Sequence, residues 1–244
     1  MNTLWGKLAQ RSNLSQTKVC HEYKDYWEIA SDEEKRVTGE IMVNDDCLIV
    51  NWEYMSDELS KPGNTSLAIA AFVTSYARIE LMKVIDEIEI IPGRLLYMDT
   101  DSVIYLYKKG EPKPKTGDYL GCLANEISKD YGPNARCTKF CSLGPKVYAM
   151  EIWPENASEP IVPIKAKGIT LTDKVLNIIK MEEMVRIANS YCTSNSSEEL
   201  SIPQMQILSD KMHVVYTKHF NKTFRAMSDK RRINGNDTLP YGYC

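Results

Sequence analysis

No apolar run in this chain is long enough to cross a bilayer. The longest, Leu67–Val73, is seven residues, where a spanning helix needs about 20, so no helical membrane anchor is expected. The first residues are polar and include Trp5 and Lys7 rather than an apolar segment, so no secretory signal is expected. Seven cysteines are scattered without a single C-x-x-C pair, which argues against a disulfide framework. Cys137 and Cys141 lie four apart with no second ligand pair nearby, which argues against a zinc site. The thiols read as free, in a reducing intracellular compartment, with nucleus and cytoplasm left open. Triplets such as Asn156–Ser158 are then not expected to carry glycans. No internal repeat is present. The chain has 244 residues, 43% of them hydrophobic, enough to bury a core in one large or two small domains.

The most informative segment is Arg94–Leu106, RLLYMDTDSVIYL. Two apolar, strand-forming flanks enclose a turn that carries Asp99, Thr100, Asp101 and Ser102. Two carboxylates side by side repel unless a cation sits between them, and hard cations such as magnesium take oxygen ligands and bridge to phosphate. The segment therefore suggests phosphoryl or nucleotidyl transfer. The plain alternative is an ordinary hairpin with an Asp-rich turn, since Asp is a common turn former.

Other segments bear on that choice. Tyr97–Ser102 resembles the Y-x-D-T-D-S palm motif of family B DNA polymerases. Asn2–Arg11, NTLWGKLAQR, resembles the finger-helix motif N-S-x-Y-G-K. Phe72–Arg78, FVTSYAR, is similar to the helix before the palm hairpin. Leu143–Tyr148, LGPKVY, contains K-x-Y, and Lys165–Ile169, KAKGI, is like the segment that follows it. The five matches occur in the family's order, and the insertions look most like the protein-primed branch of viruses, linear plasmids and large DNA transposons.

The resemblance implies an α+β fold: a polymerase palm, with an antiparallel sheet and backing helices, plus a small thumb-like subdomain. It implies the end of a fingers helix at 1–15, palm at 16–160, and thumb and tail at 161–244. It implies DNA-directed DNA synthesis with Mg²⁺, on a DNA template-primer, from deoxynucleoside triphosphates, with a terminal priming protein as a further partner and no membrane. Asp101 is the implied metal ligand and Asp99 its catalytic neighbour. Asn2, Trp5 and Gly6 are implied at the incoming nucleotide, with Thr3 and Trp5 where the family has Ser and Tyr. Lys146, Tyr148, Lys165, Lys167 and Arg231 are implied on primer and DNA. Arg78 could pair with Asp99 and hold the turn. The family's upstream D-x-x-S-L-Y-P motif, which supplies a second bridging carboxylate, occurs nowhere in the sequence. Neither do its nucleotide-binding lysine and its exonuclease region. The reading is an N-terminally truncated polymerase, inactive by itself.

Net charge is −3, yet between Lys211 and Arg232 seven Lys and Arg face one Asp, with Tyr216, Phe220 and Phe224 interleaved. That suits a phosphate backbone, though a charge run is often only a solvated face. The hydropathy pattern predicts a helix at Asn2–Ala9 and a β-hairpin over Thr38–Tyr54. It predicts a loop at Lys61–Ser66 and a long helix marked by Ala70, Val73, Ala77, Leu81, Val84 and Ile88. A second helical stripe runs from Leu120 to Tyr131. Strands follow at Lys146–Ile152 and Ile161–Lys165, and a helix starts at Thr172. Two other readings remain. One is a catalytically inactive nucleic-acid-binding remnant. The other is a haloacid-dehalogenase-type phosphatase, whose D-x-D-x-[TV] strand motif Met98–Val103 approximates and which requires parallel βαβ units.

Overall fold

The computed structural model describes residues 2–60, 65–119, 121–194, 198–210, 212, 214–227, 231–234 and 237–240, with backbone alone for 2–4, 194, 231–234 and 237–240. Lys61–Asn64, within the predicted loop, and Lys211, His213 and Lys230 of the basic stretch lie outside the described residues. The chain is α+β, with small antiparallel sheets, and divides into two compact units, Met1–Lys83 and Val84–Cys244.

The first unit opens with helix α1 (Asn2–Leu8), then strand β1 (Gln16–Cys20), helix α2 (Tyr23–Ala30), and strands β2 (Lys35–Asn44) and β3 (Cys47–Tyr54). The sheet order is β1-β3-β2, antiparallel throughout. The hairpin β2–β3 turns at Asp45-Asp46, as its alternation and turn residues predict. Its small core is Cys20, Ile29 and Val50, with Tyr26, Val37, Leu48 and Trp52 packed around it. Buried Asn13 imitates a strand partner: its side chain donates to Tyr54 O at 2.9 Å and accepts the Tyr54 N–H at 3.1 Å.

Helix α3 (Leu67–Ile88) crosses the boundary between the units. Its length matches the periodicity, but its burial does not. Ala70 and Ile88 of the expected stripe are buried, Leu81 and Val84 are half-buried, and Val73 and Ala77 are exposed. Periodicity identifies an apolar face, not what covers it.

The second unit continues with hairpin strands β4 (Leu95–Asp99) and β5 (Ser102–Tyr105), helix α4 (Glu126–Tyr131), and strands β6 (Arg136–Gly144), β7 (Val147–Trp153) and β8 (Ile164–Ala166). Helices α5 (Asp173–Leu176) and α6 (Met181–Ser194) lead to a long ribbon, β9 (Leu200–Ser209) with β10 (Val215–Phe224), and a last hairpin, β11 (Arg231–Asn234) with β12 (Asp237–Pro240). β6-β7-β8 is an antiparallel sheet whose last strand, β8, pairs with β7 across position 160. Met181, Met184 and Ile187 recur along one face of α6. They close a core with Leu143, Val147, Ala149, Val175, Ile179, Ile202 and Phe224; each of these side chains larger than alanine contributes about 1.5–3 kcal/mol by leaving water.

The predicted helix at 120–131 is shorter than expected. Gly121 has φ +91, which breaks the first turn, and the helix starts only where Asn125 accepts the Ser128 N–H. Thr172 caps α5 by accepting from Val175 N–H, as predicted, but that helix ends after one turn.

Candidate active site

β4 alternates so that Leu95, Tyr97 and Asp99 face inward while Leu96 and Met98 are exposed. At its base, buried Arg94 donates to Leu106 O at 2.9 Å and Pro112 O at 3.2 Å. The Glu89 carboxylate accepts the Leu95 N–H at 2.7 Å and the Gly93 N–H at 3.1 Å, and these bonds hold its pKa below the usual range. The hairpin is antiparallel with Asp99 opposite Ser102 and the two Asp residues at its tip, as the sequence predicts. Thr100 sits at φ +52, a conformation β-branched residues avoid and which costs about 1–3 kcal/mol. The tip is braced locally: Thr100 Oγ1 donates to Asp99 Oδ1 at 2.9 Å, and Ser102 Oγ donates to Asp99 O at 3.1 Å.

A second hairpin, β6–β7, meets this tip. Tyr97 packs against Phe140 and Tyr148, with ring centroids 6.1 and 5.2 Å away. The β6–β7 turn places Lys146 at φ +59. Lys146 is therefore a turn residue, not the strand residue its spacing from Tyr148 suggests. Its backbone N–H donates to Tyr97 Oη at 2.9 Å, and its ammonium reaches Asp99 Oδ2 at 2.5 Å. That bond pulls the Asp99 carboxyl below, and the Lys146 ammonium above, their ordinary values. Asp99 is thus paired with Lys146.

β8 brings the remaining cations. Lys165 lies opposite Tyr148 in the register, and the Lys167 N–H donates to Lys146 O at 3.1 Å. The loop after β8 is clamped by buried Gln204, which accepts the Thr170 N–H at 2.7 Å and donates to Thr170 O at 3.3 Å. The result is an open cleft of about 440 Å³ lined by Asp99, Lys146, Tyr148, Lys165, Lys167 and Leu171. Burial, with Tyr97 beside it, raises the Tyr148 phenol. With Asp99 engaged by Lys146, and Lys165 and Lys167 without ion-pair partners among the described residues, the cleft has positive charge to spare for an anion.

The structure thus brings together Asp99, Lys146, Tyr148, Lys165 and Lys167 from three separate stretches of sequence. Asp101 is exposed at the tip beside them. Trp5 and Gly6 lie on α1 in the first unit; Trp5 is partly exposed, and nothing lies within 4 Å of a Cβ built on Gly6. Asn2 lies on the same helix, but its side chain, like that of Arg231 on β11, is outside the described residues. Phe140, Leu171 and Gln204 were not anticipated. Polar residues interrupt Arg136–Gly144, so no clean alternation marks the first, and a lone Gln gives no signal.

Magnesium needs several fixed oxygen ligands. Among the described residues no group of three or more His, Cys, Asp or Glu could hold a metal. Asp99 is already engaged, which leaves Asp101 as a single carboxylate. The residues present do not fit a two-metal site. Compared with known proteins, the chain matches no family model, no curated protein and no solved structure.

Proposed function

We propose that this chain is the palm and thumb portion of a DNA-directed DNA polymerase similar to family B, acting in nucleotidyl transfer to a primer 3′-hydroxyl. The observation that carries this reading is the cleft. The three segments matched separately to polymerase motifs, Tyr97–Ser102, Leu143–Tyr148 and Lys165–Ile169, converge on it, although nothing in their spacing requires them to meet.

Phosphoryl transfer gains chiefly from positioning and charge neutralisation. In this reading Lys165 and Lys167 hold backbone phosphates near the primer end, and Tyr148 offers a flat face to the terminal sugar. Asp99 orients Lys146 toward the same strand, and Asp101 stands where the reacting phosphates enter. The second carboxylate comes from a polypeptide bearing the D-x-x-S-L-Y-P motif, and by itself the chain binds DNA without extending it. The phosphatase reading loses ground because that fold requires a parallel sheet with helical crossovers, whereas every named strand pair described is antiparallel.

Primer extension tests the proposal. The chain should extend a primed template when mixed with a polypeptide that carries the missing motif, and should not extend it alone. A mixture that binds primed DNA but incorporates nothing would remove the polymerase reading.

A further inference from the structure

We propose that the loop after β5, from Lys108 to Lys115, is a second nucleic-acid contact, a braced lysine patch that takes the phosphate backbone of a duplex outside the cleft. The choice of nucleic acid as partner rests on the polymerase reading; the anion site itself does not.

The loop carries Lys108, Lys109, Lys113 and Lys115 against one acid, Glu111. All four lysines are exposed, and none has an ion-pair partner among the described residues. Glu111 is turned inward. Its carboxylate accepts the Lys108 N–H at 3.2 Å and lies 3.8 Å from Arg94 Nη2, a buried donor that finds no hydrogen-bond partner among the described residues. The loop's own counter-charge is thus drawn toward Arg94, and its outer surface is left cationic.

A solvated charge run needs no scaffold, and this loop has one. A turn closes from Lys108 to Glu111, whose N–H donates to Lys108 O at 3.0 Å, with Gly110 at φ +95. Buried Arg94 holds Pro112 O, Pro114 is buried, and the Gly117 N–H donates to Leu123 O at 2.9 Å. Lys113 lies over the Tyr107 ring at 5.7 Å, which brings the two limbs of the loop together. Glu111 and Lys113 each precede a proline and are held extended. Lys113 and Lys115 are then spaced by about 6 Å along the chain, close to the spacing of neighbouring phosphates on one strand. A loop fixed in this way loses little conformational freedom on binding.

The residues between the lysines favour nucleic acid over a lipid surface. A membrane-surface segment sets apolar side chains beside its lysines, whereas Gly110, Glu111, Pro112 and Pro114 separate these. Lysine offers a point charge rather than a planar fork, which suits phosphate without regard to base sequence. β5 joins the loop to the acidic tip. From Ser102 to Lys108 the chain spans at most about 20 Å, so a duplex with its end in the cleft can reach the loop within about six base pairs.

Titration of the full chain with a fluorescent blunt-ended duplex, over a range of salt, tests this. Replacing Lys108, Lys109, Lys113 and Lys115 together by Met should weaken binding at low salt by about tenfold or more and flatten the logarithmic salt slope by about 3. Circular dichroism should not change, since all four are exposed and Met keeps an aliphatic stem over Tyr107. Lys109→Glu alone, in the turn, should act in the same direction with a slope lower by about 1. The same charge removed elsewhere, by Lys24→Met, Lys129→Met, Lys174→Met and Lys180→Met together, should leave the slope nearly unchanged. Equal losses from the loop and control variants would overturn the proposal, as would an unchanged slope in the loop variant. A loss on phosphatidylserine vesicles with none on the duplex would overturn the choice of partner. The slope is read without nucleotides or a second polypeptide, so failure of this patch and failure of primer extension are seen separately.

Discussion

Lys146 binds β4 twice: its backbone N–H donates to the phenol of Tyr97 at 2.9 Å, and its ammonium meets Asp99, two residues further along the same strand. One turn residue thereby fixes both the position and the charge of the acidic tip. The two contacts are separable. Tyr97→Phe removes only the acceptor and should cost about 1 kcal/mol, read as a lower urea midpoint with an unchanged slope. The Asp99–Lys146 pair survives, so DNA affinity should stay within twofold of wild type. Lys146→Met should do the reverse: little change in midpoint, since the lysine is largely exposed, and a clear loss of DNA affinity.

The same pair predicts a pH dependence. Asp99 has a lowered pKa, chiefly through its bond to Lys146, against about 3.9 in the unfolded chain. Its contribution to stability is therefore complete above that value. It is lost as pH falls through the lower folded value. Urea midpoints of wild type and Lys146→Met should differ by a small, constant amount near neutrality and converge in acid, once pH has fallen through the lowered Asp99 value. A gap that persists in acid would mean the pair does not set this part of the stability.

One backbone hydrogen bond ties the segment after β10 to the end of β6, and Gly144 leaves room for that close approach. Met227 N–H donates to Leu143 O at 2.7 Å, and a Cβ at Gly144 (φ +139) would lie 2.3 Å from Met227 O. Gly144→Ala should therefore destabilise by more than about 2 kcal/mol. Amide exchange should accelerate first in β9 and β10 if the ribbon is what gives way. Gln204→Leu should cost about 1–2 kcal/mol, because the Thr170 N–H and C=O lose their side-chain partner. Gln204→Glu, which can still accept from Thr170 N–H, should lose less.

The acidic hairpin was legible because strand alternation and turn chemistry agree over Leu95–Tyr105. So was the β2–β3 hairpin. α3 was legible as a helix, but its exposure was not, since a sequence carries no record of what lies against a face. The stripe at 120–131 failed because apolar spacing was counted through Gly121, whose positive φ no helix tolerates. β6 went unread because polar residues interrupt RCTKFCSLG. The cleft is the instructive case. Lys146 and Lys165 were picked out by motif, yet their meeting with Asp99 depends on the β6–β7 turn and on pairing across β7–β8, both long-range. Gln204 was illegible because its role depends on Thr170, 34 residues away.

DNA binding should follow the cleft's charge. Binding through lysine–phosphate contacts weakens with salt, with a logarithmic slope of about −0.9 per contact on duplex DNA. Replacing Lys146, Lys165 and Lys167 together by Met should flatten that slope by about 2–3 and weaken binding at low salt. All three are on or beside the sheet edge and away from the buried core, so the fold should persist. An unchanged slope would place the DNA elsewhere, with the aromatic and basic strand β10 as the next candidate.

The two carboxylates of the tip should behave differently. Asp99 is committed to Lys146, whereas Asp101 is exposed at the tip and forms no ion pair among the described residues. In the complemented extension assay Asp101→Asn should abolish incorporation while leaving DNA affinity unchanged, since it is not a phosphate contact. Asp99→Asn should reduce incorporation less, and should also alter DNA affinity by freeing Lys146. Contributions within one site are not additive, so the double variant should be no worse than Asp101→Asn alone. Measured with primed DNA over a range of nucleotide concentrations, the Asp99→Asn loss should fall mainly on primer affinity and the Asp101→Asn loss on the chemical step. Equal losses from the two single variants would mean that the Lys146 pair does not distinguish them, and the division of roles argued from the hairpin tip would fail. Incorporation by the unaided 244 residues would be more serious still, because a single unengaged carboxylate offers too few fixed oxygen ligands for the cation that would neutralise the transferred phosphate.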